Sequence, residues 1–446
     1  KDAGRFYLHP VDQAYALGLI PPGDLSGQQQ AFRRVYARYG MTPPEPEAPP
    51  YTQLALRERA ADYFRTTRKP RTDWKTLDDL APQLAEFELR CAAGDYDTAA
   101  DVLNSITFNY LLLWGYARLT AELHGRLQGK LSDRRQQSIS LNNLGLAYSD
   151  LGEVRRAIGC YEQKLIIDRE SGDRQAEGAA LGNLGLAYSD LGEVRRAIEY
   201  YEQALAIDRE IGDRRGEGAD LGNLGLCYAS LGQLDKALEH GQQALAIARE
   251  IQRPTGASIN LRSIAEIHVD RDQWAEAVAA CQEALQLADG IGFVQTQSEA
   301  RYTLALAHLY AGDLSAARAT IEAARQYDFP TNNHNVLALL GVIALRQDDR
   351  GAACEAFTAA VAHADSLLAH TAENYGALDT KGLALAGLAL CAGPQHLSAA
   401  SAAYRAARQI FAGAGIVARV VRLLDALAAA DTAGILGEVR RAARGE

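Results

Sequence analysis

The sixteen residues Asn143–Ile158 recur without a single change at Asn183–Ile198, forty residues further on. The same step carries Asn-Leu-Gly to Asn223–Gly225. It also keeps Tyr148, Tyr188 and Tyr228 in phase, with Gly152, Gly192, Gly232 and Ala157, Ala197, Ala237 beside them. Two weaker copies follow, with Ile264-Ala265 and Leu304-Ala305 at the Leu-Gly position and His268 and His308 at that of the tyrosine. A period in this range marks a supersecondary unit that cannot bury its apolar face alone, so neighbouring units must stack.

Within one period, Leu181, Leu184, Gly185 and Tyr188 fall at the three- and four-residue spacing of a helix face. Leu191-Gly192 closes that helix, because glycine takes up the left-handed cap cheaply. Ala197, Ile198, Tyr201, Leu205 and Ile207 mark a second amphipathic helix, and Ile211-Gly212-Asp213 breaks the chain before the next unit. Gly185 and Ala197 are small enough to let the two helices approach closely. The tyrosines are expected to fill the space between hairpins. Alanine dominates the apolar residues, while the chain has only 9 Phe and 1 Met. That balance favours thin layers of helices over a thick sheet core.

These residues resemble the tetratricopeptide repeat family, through Leu-Gly-x-x-Tyr and the downstream Ala-x-x-x-Tyr. The forty-residue unit with its Gly-Asp-Arg linkers is most similar to LGN-type adaptors and kinesin light chains. The resemblance covers about residues 135–325 and implies an all-α, right-handed superhelix, an α-solenoid. A further hairpin is legible at Leu84–Leu103 around Gly94-Asp95-Tyr96, and divergent ones at Asn335–Leu368 and Thr380–Phe411.

The first 75 residues read differently. Phe6–Pro10 suggests a short strand or turn, and five prolines between 41 and 50 exclude a continuous helix there. Leu8-His9-Pro10-Val11-Asp12-Gln13-Ala14-Tyr15-Ala16 resembles the Met-His-Asp segment that closes the winged-helix domain of signal-transduction ATPases with numerous domains. In that family an NTPase module precedes a repeat-built sensor. The resemblance gives His9 a nucleotide-sensing position, with Pro10 standing where the family usually has Asp. The chain starts at Lys1 and its one methionine is Met41, so a piece of a longer protein is expected. The expected organisation is the end of a winged-helix-like domain at 1–20, a Pro-rich linker and helix at 21–75, and N-terminal hairpins at 76–134. The regular array follows at 135–325, with divergent repeats at 326–446.

Signals for chemistry are sparse. There is no Walker A sequence and no H-E-x-x-H. Gly413-x-Gly415-x-x-Ala418 fits a dinucleotide fingerprint on spacing alone, without a preceding strand. The six cysteines lie far apart with no C-x-x-C pair, which points to free thiols in a reducing compartment. The longest apolar runs are too short to cross a bilayer, and a cytoplasmic location is expected. A net charge of −10 argues against general nucleic-acid binding. The basic cluster Arg57, Arg59, Arg65, Arg68, Lys69 and Arg71 is interrupted by Glu58 and Asp62 and reads as a solvated or domain-contacting face.

The chain is therefore expected to bind and not to catalyse, with no cofactor. Asn143, Asn183 and Asn223 share one phase on the first helix of their units, as a ladder of amides able to pair with an extended backbone. The alternative for each is a tie between adjacent helices. Asn142 and Arg262 complete the candidate ligand-binding set. Where LGN-type adaptors carry arginines before this asparagine, the chain has Gly178-Ala179 and Gly218-Ala219, which favours close backbone approach or self-packing over acidic peptides. The expected partners are a protein or peptide inducer in the concave groove and an upstream NTPase domain of the same polypeptide. A free-standing adaptor or peptide receptor is the alternative. No membrane partner is expected.

Overall fold

A computed structural model describes residues 53–446. The winged-helix-like segment, His9 and the Pro-rich stretch at 41–50 lie outside the described residues. Among these there are twenty α-helices and no strand. The chain divides into two compact units, one ending at Ala147 and one spanning Tyr148–Glu446.

In the first unit, α1 (Gln53–Thr66) packs on α2 (Ala81–Ala93), which pairs with α3 (Tyr96–Ile106). Gly94, at φ 80°, makes the turn between α2 and α3, where sequence placed a hairpin. A π-helical turn over Thr107–Leu112 leads to α4 (Ala117–Gly125), and α5 (Arg134–Asp150) begins the regular array. Phe87, Leu103, Ile106, Leu111 and Leu127 are fully buried together. The basic cluster is largely consumed in local pairing. Arg68 reaches Glu86 at 2.5 Å, Lys69 reaches Asp79 at 2.6 Å, and Arg71 lies over the Trp74 ring.

The second unit opens with α6 (Val154–Ser171), then α7 (Arg174–Asp190) and α8 (Val194–Ile211), then α9 (Arg214–Ser230) and α10 (Leu234–Glu250). The fourth and fifth units are α11 (Pro254–Asp270) with α12 (Trp274–Ile291), and α13 (Val294–Tyr310) with α14 (Leu314–Ala324). Divergent hairpins follow as α15 (Pro330–Arg346) with α16 (Arg350–His370), and α17 (Tyr375–Cys391) with α18 (Leu397–Ile410). Two closing helices are α19 (Ala414–Ala428) and α20 (Gly437–Arg444). Asp173 and Asp213 cap α7 and α9 by accepting from the amides of Ala176 and Gly216. Where the later turns lack glycine, Asp272 and Asp348 hold the same left-handed conformation, each at φ 59°.

Several hairpins close by setting a ring on a glycine. A Cβ at Gly185 would stand 2.7 Å from Tyr201 Cε1, and Tyr201 is 1% exposed. Phe357 on α16 lies between Gly341 and Gly387, and Tyr404 lies on Gly382. In the third unit Gly241 replaces the ring, and Gly225 meets the α10 backbone directly. The other tyrosines pack into the core between hairpins, Tyr188 and Tyr228 buried and Tyr148 half-buried, and each also carries a cation over its ring. Arg156 and Arg196 each stand 3.9 Å from their ring centroids, and Lys236 stands 4.9 Å away. His268 and His308 are half-buried, and His268 Nδ1 is 2.8 Å from Gln273 Oε1. The linkers are tied by ion pairs. Arg174 bridges Glu177 and Glu210 at 2.5 Å each, and Arg214 repeats the bridge to Glu217 and Glu250.

Two predictions follow from this packing. Gly185→Ala gains about 1 kcal/mol of helix propensity but drives a methyl into a buried ring, at a cost of about 1–3 kcal/mol. It should lower the chemical-denaturation midpoint, whereas Gly182→Ala, whose Cβ meets only Asp220 Oδ1 at 3.5 Å, should not. The second concerns His124, fully buried between Thr107 Oγ1 at 2.9 Å and Ser140 Oγ at 3.0 Å. Burial pushes its pKa down to about 3, against about 6.5 for an unfolded histidine. Between those values the unfolded chain holds more protons, so stability is lost as pH falls through that window. His124→Gln should show a shallower loss of melting temperature from pH 7 to pH 4 than the parent.

Candidate functional site

The regular array leaves a cleft between the first helices α9 and α11, with α10 as its floor. It has a volume of about 210 Å³. Ala244, Ile247 and Ala248 supply an apolar base, and Asn223, Asn260 and Ser263 supply polar edges. Arg215 and Arg253 stand at the end that bears the helix starts. The forty-residue step explains this arrangement, because it returns the same α9 face, one unit later, as the α11 face. Small residues set the width. A Cβ at Gly222 would stand 3.0 Å from Asn260 Oδ1, and one at Gly218 would stand 3.1 Å from Ile247 Cγ2. Gly218 and Gly222 therefore act first in self-packing, bringing the next helix near, and the cleft is what remains beside them.

The expected amides lie in different surroundings. Asn223 is half-buried and lines the cleft. Asn143 is 6% exposed and donates from Nδ2 to Asn104 Oδ1 at 3.0 Å, while Asn104 in turn donates to Gln136 Oε1. Asn142 and Asn183 are half-buried and each is engaged in an interaction of its own. Arg262 is clamped on both sides, by Glu266 Oε1 at 2.6 Å and Glu299 Oε2 at 3.3 Å. Asn260 was not among the expected residues. Its signal was present in the sequence, since the forty-residue step aligns it with Asp220 and Ala180.

A second cavity, of about 230 Å³, lies between α19 and the array, where Tyr302, Tyr310 and Tyr404 meet Asp270, Asp379 and Arg419. Here α19 is held firmly. Arg419 Nε is 2.6 Å from Asp270 Oδ2, and Arg422 donates to the carbonyls of Val269 and Asp270 at the end of α11. A guanidinium at a helix C-terminus meets orphan carbonyls and the negative end of the dipole. The fingerprint-like Gly413-x-Gly415 has its explanation in the same place. A Cβ at Gly415 would lie 1.9 Å from the Ala229 carbonyl oxygen, and one at Gly413 would lie 2.6 Å from that of Ser230. These glycines allow α19 to reach the α9 turn and face backbone, not phosphate.

The buried thiols show no activation. Burial pushes Cys160 and Cys227 up to about 11, opposite to the shift a nucleophilic thiolate needs. No group of three or more metal-ligating side chains gathers among the described residues. No described helix is long and apolar enough to cross a membrane.

A family model described as tetratricopeptide repeat matches residues 136–210 and 177–250. No curated protein matches the sequence. Among solved structures, the chain is similar to a Rap protein complexed with Competence and Sporulation Factor, at 15% identity and a TM-score of 0.53. That match covers 79% of this chain and 92% of the other. The apo form of the quorum sensor NprR from B. thuringiensis is similar at 16% identity and a TM-score of 0.50, covering 80% and 97% of the two chains. A signal-transduction ATPase with a tetratricopeptide repeat sensor from Pyrococcus horikoshii matches at 14% identity and a TM-score of 0.49. That match covers 74% of this chain and 49% of the other. At these identities the likeness is one of fold.

The different surroundings of the asparagines make a prediction. Asn143→Ala removes a buried amide and leaves half-buried Asn104 without its donor, and should lower the melting temperature, by about 1 kcal/mol of lost stability. Asn223→Ala, on an open cleft, should melt within about 0.5 kcal/mol of the parent. Equal losses in differential scanning calorimetry would make both residues structural ties.

Proposed function

We propose that this chain, built from tetratricopeptide repeats, is a non-catalytic binding module whose groove takes an extended peptide or protein segment. The observation that carries this reading is the cleft between α9 and α11. It is floored by small apolar side chains and edged by the amides of Asn223 and Asn260. An extended backbone needs alternating donors and acceptors, and each amide supplies both. The apolar floor takes side chains from alternate positions of the same segment. The fold likeness to a Rap protein solved with Competence and Sporulation Factor and to a quorum sensor is consistent with a receptor of this kind.

A finer reading makes the module the sensor half of a signal-transduction ATPase. Its support is the Leu8–Ala16 segment, with His9 in the nucleotide-sensing position. In that arrangement the inducer binds the groove and releases an upstream NTPase of the same polypeptide. The free-standing receptor uses the same groove without one. The encoded sequence before Lys1 decides between them, since a Walker A motif there selects the sensor.

The groove is tested with a labelled pentapeptide selected from a random display library on the wild-type protein. Asn223→Ala should weaken it about 3- to 10-fold, the loss of one or two hydrogen bonds. The double variant with Asn260→Ala should weaken it further while retaining the wild-type circular dichroism. Undiminished binding by both variants would place the ligand elsewhere.

A further inference from the structure

The cavity of about 230 Å³ beneath α19 shares no lining residue with the cleft between α9 and α11. Its apolar and aromatic walls come from several helices. Tyr302, Leu306 and Tyr310 face it from α13, Leu383 from α17, Tyr404 from α18 and Val420 from α19. The aromatic wall is a departure from the repeat. Tyr302 stands where the three preceding units have Arg262, Gly222 and Gly182, and Tyr310 stands where they have Asp270, Ser230 and Asp190. Those units carry no ring at either phase, so this space is not a general consequence of stacking.

The charges around it are already matched. Glu266 lies 2.6 Å from Arg262, Asp270 accepts from Arg419 Nε at 2.6 Å, and Asp379 pairs with Arg408. Arg422 donates to the carbonyls of Val269 and Asp270. A charged ligand would enter without a counter-ion of its own, at a high desolvation cost. One polar atom is still unpaired. Asp379 is 7% exposed, and its Oδ1 is buried with no hydrogen-bond partner, whereas its Oδ2 accepts from Arg408. A buried acceptor without a donor is costly, so this wall favours an occupant that donates.

Protein interiors rarely leave a void larger than a water molecule. An apolar cavity of about 150 Å³ binds benzene, so a space of about 230 Å³ admits a fused pair of rings. Tyrosine walls favour an aromatic occupant, through offset or edge-to-face contact. We infer that the cavity beneath α19 binds a small, uncharged aromatic molecule the size of a fused ring pair, with an N–H or O–H that donates to the Asp379 carboxylate. Because Val420 and Leu423 of α19 belong to the wall, the bound molecule also adds contacts that hold α19 on the array.

Indole is the probe, with benzofuran as an isostere lacking the N–H and tryptamine as a cationic analogue. Equilibrium dialysis against the full chain should show saturable one-to-one binding of indole. Benzofuran should bind about 3- to 10-fold more weakly, the loss of one hydrogen bond, and tryptamine at least about tenfold more weakly. Leu306→Trp and Val420→Trp fill the cavity from α13 and from α19. Each should abolish indole binding while keeping the wild-type circular dichroism, and a folding defect in one leaves the other decisive. Indole should also slow amide hydrogen exchange across residues 419–423. Equal binding of indole and benzofuran, or indole binding undiminished in a folded filling variant, would overturn the proposal. So would indole binding that never saturates, which would leave the cavity to water alone.

Discussion

Everything in the array depends on how closely the first and second helix of a hairpin can approach. A ring laid on a glycine sets that distance: Tyr201 on Gly185, Phe357 between Gly341 and Gly387, Tyr404 on Gly382. In those hairpins the contact supplies one large buried side chain, with no room for a competing rotamer, while the third closes backbone to backbone at Gly225 and Gly241. Once the spacing within a hairpin is fixed, the spacing between hairpins follows from the small residues on the outer face of the first helix. Gly182 and Gly222 admit residues 220 and 260 of the next first helix. A cleft of fixed width is therefore a by-product of packing, and its polar content depends on which residues fall at those two phases.

Neighbouring units use one geometry for opposite electrostatic ends. In α6 a lysine satisfies Asp168 from within, whereas in α8 alanine stands at that phase and Asp208 packs against Gly178 and Gly216. The surrounding Arg–Glu bridges are the same in both units. They satisfy Glu177 and Glu217 at the linkers. Sequence repetition fixes the frame, and single departures from it carry the chemistry.

The fold was legible because the forty-residue phase is a local signal. Asn143–Ile158 and its copy announce hairpins, and the glycine turns announce their ends. Even the hairpin around Gly94-Asp95-Tyr96 could be placed from one turn. The site was less legible, because identical residues at identical phase do not share neighbours. Asn143 meets Asn104, which lies outside the regular array, while Asn223 faces the open cleft. Likewise Arg262 stands among the candidate ligand-binding residues in the sequence, while in the structure Glu266 and Glu299 clamp it on either side. Gly413 and Gly415 carry a misleading spacing for the same reason. The backbone they approach, at Ala229 and Ser230, is nearly two hundred residues earlier in the chain.

That approach changes how the second unit must come apart. An open stack of hairpins can fray from either end, each hairpin answering only to its neighbour. Here α19 binds the ends of α9 and α11 through Gly415, Arg419 and Arg422, across sequence separations of about 150 residues and more. The last hairpins cannot peel away until those contacts are released, and the middle units lose a partner when they are. Cooperativity in this unit is thus borrowed from long-range closure as well as from stacking. Folding carries the corresponding kinetic penalty, since the final contacts wait for nearly the whole chain to be in place.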